Sequence, residues 1–475
     1  FILLMSVTGL AILYDQPIKD LVWKDLRTVT VPATATNGAA PTVVSYTDQE
    51  KAVETAFPKA SVVSLTVPRN ATTATQFGLD NGHVAYVNQY TGAVLGENNP
   101  NGGFMGVFRR LHGQLNNTWK VSLPTVSALW DGGAIMRPYV IGDLLLEIFG
   151  CWAIVLVLSG LYLWWPRKSR STRNAIGEAG QASSERRLFK VRWAKGGRAR
   201  WRDLHSFPGV AILVLILMTL MSGMPWSSYW GANFTSLANE ISPNVWTDAP
   251  ASTPVTREAL DRYGNTIHWN TGDVHVPASL GLPVDGSVAR PVSLDDVVRI
   301  GSDEKMKPGY TVFFPSNSKD DAGNPLYGSF DLSNSWPRKT GEARDVFIDQ
   351  FTGTKLDEMN TYGYGSVSYA ADTMVSVHMG TQWGLIDRIF MTMLCIVAIW
   401  SCVTALVMYL KRRRPGTAGL PRRPATVHLG KGLLVIAVAV GIVYPLWGVT
   451  AILILAIDRF VIRKVPRLRS AFGQR

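Results

Sequence analysis

Cysteine is scarce in this sequence, and the usual marks of a hydrolase or nucleotide-binding enzyme are missing. Only three cysteines occur in 475 residues, Cys151, Cys395 and Cys402, and all lie inside apolar runs. No disulfide can staple the long polar segments, which must fold on their own cores. Cys395 and Cys402 fall on one helical face, where packing is the expected role, since thiols in apolar surroundings are usually inert. The sequence has no G-x-S-x-G, H-E-x-x-H or Walker loop, and no G-x-G-x-x-G in a soluble α/β setting. A flavin or nicotinamide site within the chain is not expected. Histidine is rare too, with seven in all.

What is abundant is apolar and aromatic. Nearly half the residues are hydrophobic and 16 are tryptophan, a bias that suits a membrane protein with aromatic belts. The formal charge of +12 is not spread as a nucleic-acid footprint would be. Segment 167–204 holds twelve Lys or Arg against three acidic residues, and 411–431 holds seven basic residues and no acidic one. In 226–387 acidic residues outnumber basic ones. Positive charge confined to short loops beside apolar runs follows the positive-inside rule, so no nucleic-acid partner is expected.

The apolar runs predict an α-helical membrane protein with four core spans, 1–18, 143–166, 205–226 and 385–411, plus a fifth apolar segment, 432–461. The first run is too short for a full span, and the expectation is a helix whose start is missing. The third is expected to open at Pro208, a favoured first-turn residue. The fifth carries Pro445 and Gly448 at its middle; a kinked span and a re-entrant hairpin both remain open, and a basic tail, 462–475, follows. With loops 167–204 and 412–431 inside, segments 19–142 and 227–384 lie outside. That arrangement implies a multi-pass protein of a bacterial inner membrane with its large segments in the periplasm.

The two outside segments repeat one another. "YVNQYTGAVL" (86–95) aligns without gaps to "FIDQFTGTKL" (347–356), each reading as strand, Thr-Gly turn and strand. Each follows a helix-like stretch, "YTDQEKAVETAF" or "SLDDVVRI", and each precedes a histidine and then a span. Thr8-Gly9 and Ser222-Gly223 close equivalent runs. His205 stands 17 residues before Ser222, so its counterpart would fall about ten residues before Phe1, outside the sequence. The expected unit is span, α+β module, histidine, span, occurring twice.

These motifs resemble PepSY domains, and the histidine-bracketed spans resemble the PepSY-associated transmembrane helix family across nearly the whole chain. Members of that group resemble inner-membrane ferric-siderophore reductases with two b-type haems between four helices. The resemblance implies haem b, two per chain with the inner one less firmly expected. It implies His112 in "RRLHG", His205 in "DLHSF" and His378 in "VHMGT" as axial ligands of the haem iron. The departure is the first-span histidine, which this sequence does not contain.

The residues themselves are compatible with that role. Neutral imidazoles from different helices give a six-coordinate, electron-transferring iron. His112 and His378, one from each repeat, form the natural outer pair, and His205 belongs to the inner face. A single histidine at a span end is more often an interfacial residue; three at repeat-equivalent positions are not easily so dismissed. His428 is an alternative inner ligand, although a loop histidine is the plainer reading. The spacing of His268 and His275 fits no usual zinc site, and both, with His83, read as surface or structural histidines. Arg109 and Arg110 either pair with haem propionates or anchor a helix end at the headgroups.

The first functional expectation is therefore an oxidoreductase that takes electrons from an unidentified donor and passes them outward to a periplasmic acceptor, a ferric siderophore by the resemblance. The acidic excess of 226–387 suits a cationic or neutral ligand. The alternatives are an accessory or structural subunit of a larger respiratory or photosynthetic membrane complex, and a PepSY binding module without redox work.

Overall fold

The computed structural model describes residues 1–32, 41–164, 191, 193, 197–241, 249–252, 292–323, 325–334, 339–361, 363, 365–413 and 431–472. His428, His268 and His275 lie outside the described residues. The chain divides into two compact units, one of Tyr14–Val107 with Ile241–Ser376, the other of Phe1–Leu13, Phe108–Glu240 and Val377–Arg475.

The first unit is built on one antiparallel sheet. Its strands are β1 (Val62–Thr66), β2 (Thr75–Leu79), β3 (Val84–Val87), β4 (Val94–Asn98), β5 (Thr311–Phe313), β6 (Phe330–Ser333), β7 (Arg344–Ile348) and β8 (Lys355–Asn360). Across the sheet they run β8-β7-β6-β5-β1-β2-β3-β4. The two sequence modules thus share one sheet, joined where Leu65 of β1 faces Val312 of β5 and the Thr66 and Thr311 hydroxyls meet at 2.9 Å. Alternation along the strands gives one apolar face: Leu65, Phe77, Val87, Val312, Leu332, Val346 and Ile348 are wholly buried. They pack with Val53 of helix Tyr46–Ala56 and Val297 of helix Leu294–Asp303. Each such side chain contributes about 1.5–3 kcal/mol by leaving water.

Both helices start at a serine. Ser45 accepts from the Asp48 backbone N–H and Ser293 from that of Asp296, satisfying donors that a helix start leaves open. Asp295 also accepts from the backbone N–H groups of Tyr46 and Thr47, at 2.7 and 3.1 Å, so each half of the unit helps to cap the other. The Thr-Gly turns are alike as well. Gly92 and Gly353 take φ of 69° and 70°, a left-handed conformation that costs a residue with Cβ. The glutamine of the repeated motif is structural: Gln89 Nε2 donates to the Thr73 carbonyl at 2.9 Å, and Gln350 Nε2 to that of Gly328 at 2.6 Å.

Asp331 of β6 is half-buried, and its Oδ1 has no hydrogen-bond partner among the described residues. Burial first, and neighbouring Asp345 second, push its carboxyl up to about 7. The folded state then binds this proton more tightly than the unfolded state, so stability falls as pH rises from the ordinary carboxylate range to about 7. Asp331→Asn is expected to resist denaturant better than the wild type near pH 8, with the gain gone below about pH 4. Denaturation of the full chain in detergent at the two pH values checks it.

The second unit is mainly helical, with one two-stranded hairpin of Lys120–Pro124 and Met136–Val140; its helices are α1 (Ile2–Leu13), α2 (Gly103–Gln114, its last part), α3 (Ile141–Trp164), α4 (Arg198–Ala211), α5 (Leu213–Gly223), α6 (Tyr229–Ile241), α7 (ending at His378), α8 (Leu385–Arg412), α9 (Lys431–Val443) and α10 (Pro445–Ile457). Helix α7 begins at Ser366. Among the described residues three helices are long and apolar enough to cross a membrane, Ile141–Trp164, Leu385–Arg412 and Pro445–Ile462. The pair 199–211 and 213–226 passes the same test together but is bent by 62°. Helix α8 is apolar on its outside, with Ile386, Ile389, Phe390, Met393, Ile396 and Leu406 exposed, while Asp387, Cys395, Ala398 and Thr404 are buried. This reversal of the soluble pattern is what lipid as solvent demands.

The extent of α4 corrects the expectation at Pro208, which lies inside that helix rather than at its start. A proline within a helix cannot donate to the carbonyl four residues back, here that of Leu204. The Trp400 indole of α8 donates to that carbonyl at 3.0 Å, so the helix continues back to Arg198. Trp400→Phe leaves the carbonyl unpaired and is expected to cost about 1–3 kcal/mol, read as a lowered unfolding temperature in detergent.

Segment 432–461 forms two helices that turn back on one another at Tyr444–Pro445. The turn brings Gly441 and Gly448 together so closely that a Cβ on Gly448 would lie 3.2 Å from the Gly441 Cα.

Candidate functional site

Two histidines expected to pair do meet in the helical unit. His112, near the end of α2, and His378, the last residue of α7, have ring centres 6.3 Å apart and planes at 87°. Two imidazoles bonded through nitrogen to opposite sides of one metal, at about 2.0–2.1 Å per bond, have ring centres about 6 Å apart. Burial lowers the pKa of His112, and burial followed by the neighbouring His112 ring takes His378 down to about 4. Both are therefore neutral at physiological pH, the form that offers a lone pair to a metal.

Each ring is held at Nδ1 by a hydroxyl from another helix. Thr8 Oγ1 of α1 lies 2.8 Å from His112 Nδ1, and Ser222 Oγ of α5 lies 2.8 Å from His378 Nδ1. Gly9 makes room for the first ring, since a Cβ there would lie 3.2 Å from His112 Cε1. Gly380, at φ 67°, ends α7 by donating to the Val377 carbonyl. Helix α2 ends through Asn116, at φ 54°, whose backbone N–H reaches the Arg110 carbonyl and whose side chain accepts from Arg110 Nε at 2.9 Å. Arg110 thus fixes the turn that follows His112. Arg109 is half-buried beside it in sequence.

His205 lies apart from this pair. Its Nδ1 is 3.1 Å from the Ser401 carbonyl and 3.0 Å from Thr404 Oγ1, both on α8. Gly380, just after His378, packs on Arg388 in the first turn of α8. The 16 residues from Arg388 to Thr404 rise about 24 Å along that helix at 1.5 Å each. The three histidines therefore belong to two sites near opposite ends of α8. His83 is elsewhere, 3.3 Å from Glu97 in the sheet unit.

No group of three or more His, Cys, Asp or Glu among the described residues could hold a metal ion. The sequence had pointed to Thr8 and Ser222 only as members of small-residue pairs. Ser401, Thr404 and Trp400 gave no signal there, because nothing in helical periodicity tells which interior hydroxyl, carbonyl or indole will face a histidine.

Apolar exteriors, buried polar positions and helices long enough to span define a membrane protein with histidines gathered among its helices and an α/β sheet unit in the same chain. The family model for the PepSY-associated TM region matches residues 1–412, and the chain belongs to that family. No curated protein matches it.

Proposed function

We propose that this protein is a haem-containing membrane oxidoreductase that carries electrons across a bacterial inner membrane to a periplasmic acceptor. The observation that carries the reading is the His112–His378 pair: two neutral imidazoles from different helices, 6.3 Å between ring centres, each tied at Nδ1. A pair with no third protein ligand among the described residues suits a metal that brings its own equatorial donors, as haem does. Bound there, haem b would supply a one-electron carrier. His112 and His378 would hold its iron. His205 would hold a second haem near the other end of α8, and a site at each end is what passage across a core of roughly 30 Å calls for.

The direction follows from charge. The basic stretches 167–204 and 411–431 belong inside, which assigns His205 to the donor side and the His112–His378 pair to the acceptor side. The donor is a separate reductase or a membrane quinol, since the sequence carries no nucleotide or flavin motif. The acceptor we favour is a ferric siderophore, whose hard oxygen ligands hold Fe(II) less tightly than Fe(III), so that one-electron reduction releases the metal. Four core spans arising from a duplicated unit belong to the same proposal.

The test is a reduced-minus-oxidised spectrum of the purified protein with haem measured as pyridine hemochrome, followed by anaerobic addition of a ferric siderophore to the reduced sample. Two b-type haems, reoxidised by the chelate as Fe(II) appears in a ferrozine assay, are expected. A protein purified without haem overturns the reading. A reduced protein that the chelate cannot reoxidise overturns the choice of acceptor.

A further inference from the structure

We propose that Thr8 and Ser222 are positioning residues that fix the tautomer and ligand strength of His112 and His378, a part the Ser401 carbonyl plays for His205. The inference rests on the haem reading and deepens it. Thr8, Ser222 and Thr404 are buried, with 1% exposure or less, on apolar helices, and the hydroxyl of each faces a histidine of a different helix.

The proton positions follow from the partners. Ser401 offers His205 Nδ1 a backbone carbonyl, which can only accept, so that nitrogen carries the hydrogen. Thr404 Oγ1 has the Trp400 carbonyl at 2.9 Å for its own proton, leaving its oxygen to accept from the same ring. Thr8 repeats the device, donating to the Leu4 carbonyl at 2.7 Å while facing His112 Nδ1. Ser222 does so again, donating to the Thr219 carbonyl at 3.0 Å while facing His378 Nδ1. Back-bonding to the preceding turn is how a serine or threonine ordinarily spends its proton in an apolar helix. Each imidazole is therefore Nδ1–H, with the Nε2 lone pair free to bind iron. None of the three Nε2 atoms has a hydrogen-bond partner among the described residues.

A ligand imidazole that donates its second N–H is a stronger base and favours the higher oxidation state of its metal. The two sites differ in this respect. His112 relies on a hydroxyl, whereas His378 has the Thr219 backbone beside its Ser222 hydroxyl and His205 has the Ser401 carbonyl behind its own. Removing a hydroxyl should change the first site and leave the second nearly as it was.

The experiment is an equilibrium redox titration of the full-length protein, with haem content and the ferric electron paramagnetic resonance spectrum recorded on each variant. Thr8→Val and Ser222→Ala are expected to keep two haems. In Thr8→Val the His112–His378 haem should lose ferric preference about tenfold, a midpoint about 59 mV more positive for a one-electron couple, and in Ser222→Ala by less, because the Thr219 backbone still faces His378. Thr8→Ser should titrate like the wild type, and so should Thr404→Val, because the Ser401 carbonyl still holds His205. Loss of that one haem in Thr8→Val, restored in Thr8→Ser, equally supports the assignment. Haem-bearing Thr8→Val and Ser222→Ala proteins with wild-type midpoints overturn it and leave the haem reading standing. A wild type without haem overturns both.

Discussion

His112→Ala is expected to purify with one haem fewer than the wild type, His378→Ala to lack the same one, and the double variant to have lost no more than either. Independent sites would give additive losses, and residues sharing one iron do not. The expectation comes from the 6.3 Å between ring centres and the near-perpendicular planes, which leave space for one metal rather than two. His205→Ala should remove the other haem and spare this one, because its ring is fixed to Ser401 and Thr404 near the far end of α8. Pyridine hemochrome counts on the four variants and the wild type suffice. Loss of two haems in the double variant, one from each single change, would separate His112 from His378 and dissolve the pair.

Gly142→Ala is expected to be the most damaging single-methyl change in the helical unit. Gly142 stands in the first turn of α3 against the end of α2. A Cβ there would lie 1.8 Å from the Gln114 carbonyl oxygen, 2.6 Å from its carbon and 2.9 Å from the Asn117 oxygen. These are backbone atoms two to five residues beyond His112, so relief requires one helix to move. The cost should exceed the about 1–3 kcal/mol of ordinary overpacking. The variant should fail to accumulate or unfold at a clearly lower temperature, and any surviving protein should show a disturbed His112-dependent spectrum. Gly160→Ala, on the same helix with nothing within 4 Å, is the control and should behave as wild type. Equal melting of both variants would refute this account of the packing.

Much of the local structure is legible in the sequence. Apolar runs at 143–166 and 385–411 correspond to helices Ile141–Trp164 and Leu385–Arg412, because twenty apolar residues in succession leave little alternative. The two Thr-Gly turns join β3 to β4 and β7 to β8, because strand alternation and a left-handed glycine are local properties. Pro208 was misread for a physical reason: its cost depends on whether the Leu204 carbonyl finds another donor, and that donor, Trp400, is nearly two hundred positions away. The pairing of β1 with β5 was equally hidden, since either strand edge accepts any well-twisted partner. The histidines were legible as residues and their hydroxyl partners were not.

The seam between β1 and β5 also bears on how the protein is made. Leu65 cannot reach Val312 until the ribosome has passed the helical segments that separate them in the chain. Through that interval the first four strands present β1 as a bare edge, the kind of edge that recruits wrong partners. Biogenesis must therefore either outpace such pairing or shield the edge. The stage at which a nascent chain is most vulnerable falls before its sheet is complete, whatever the stability of the finished protein.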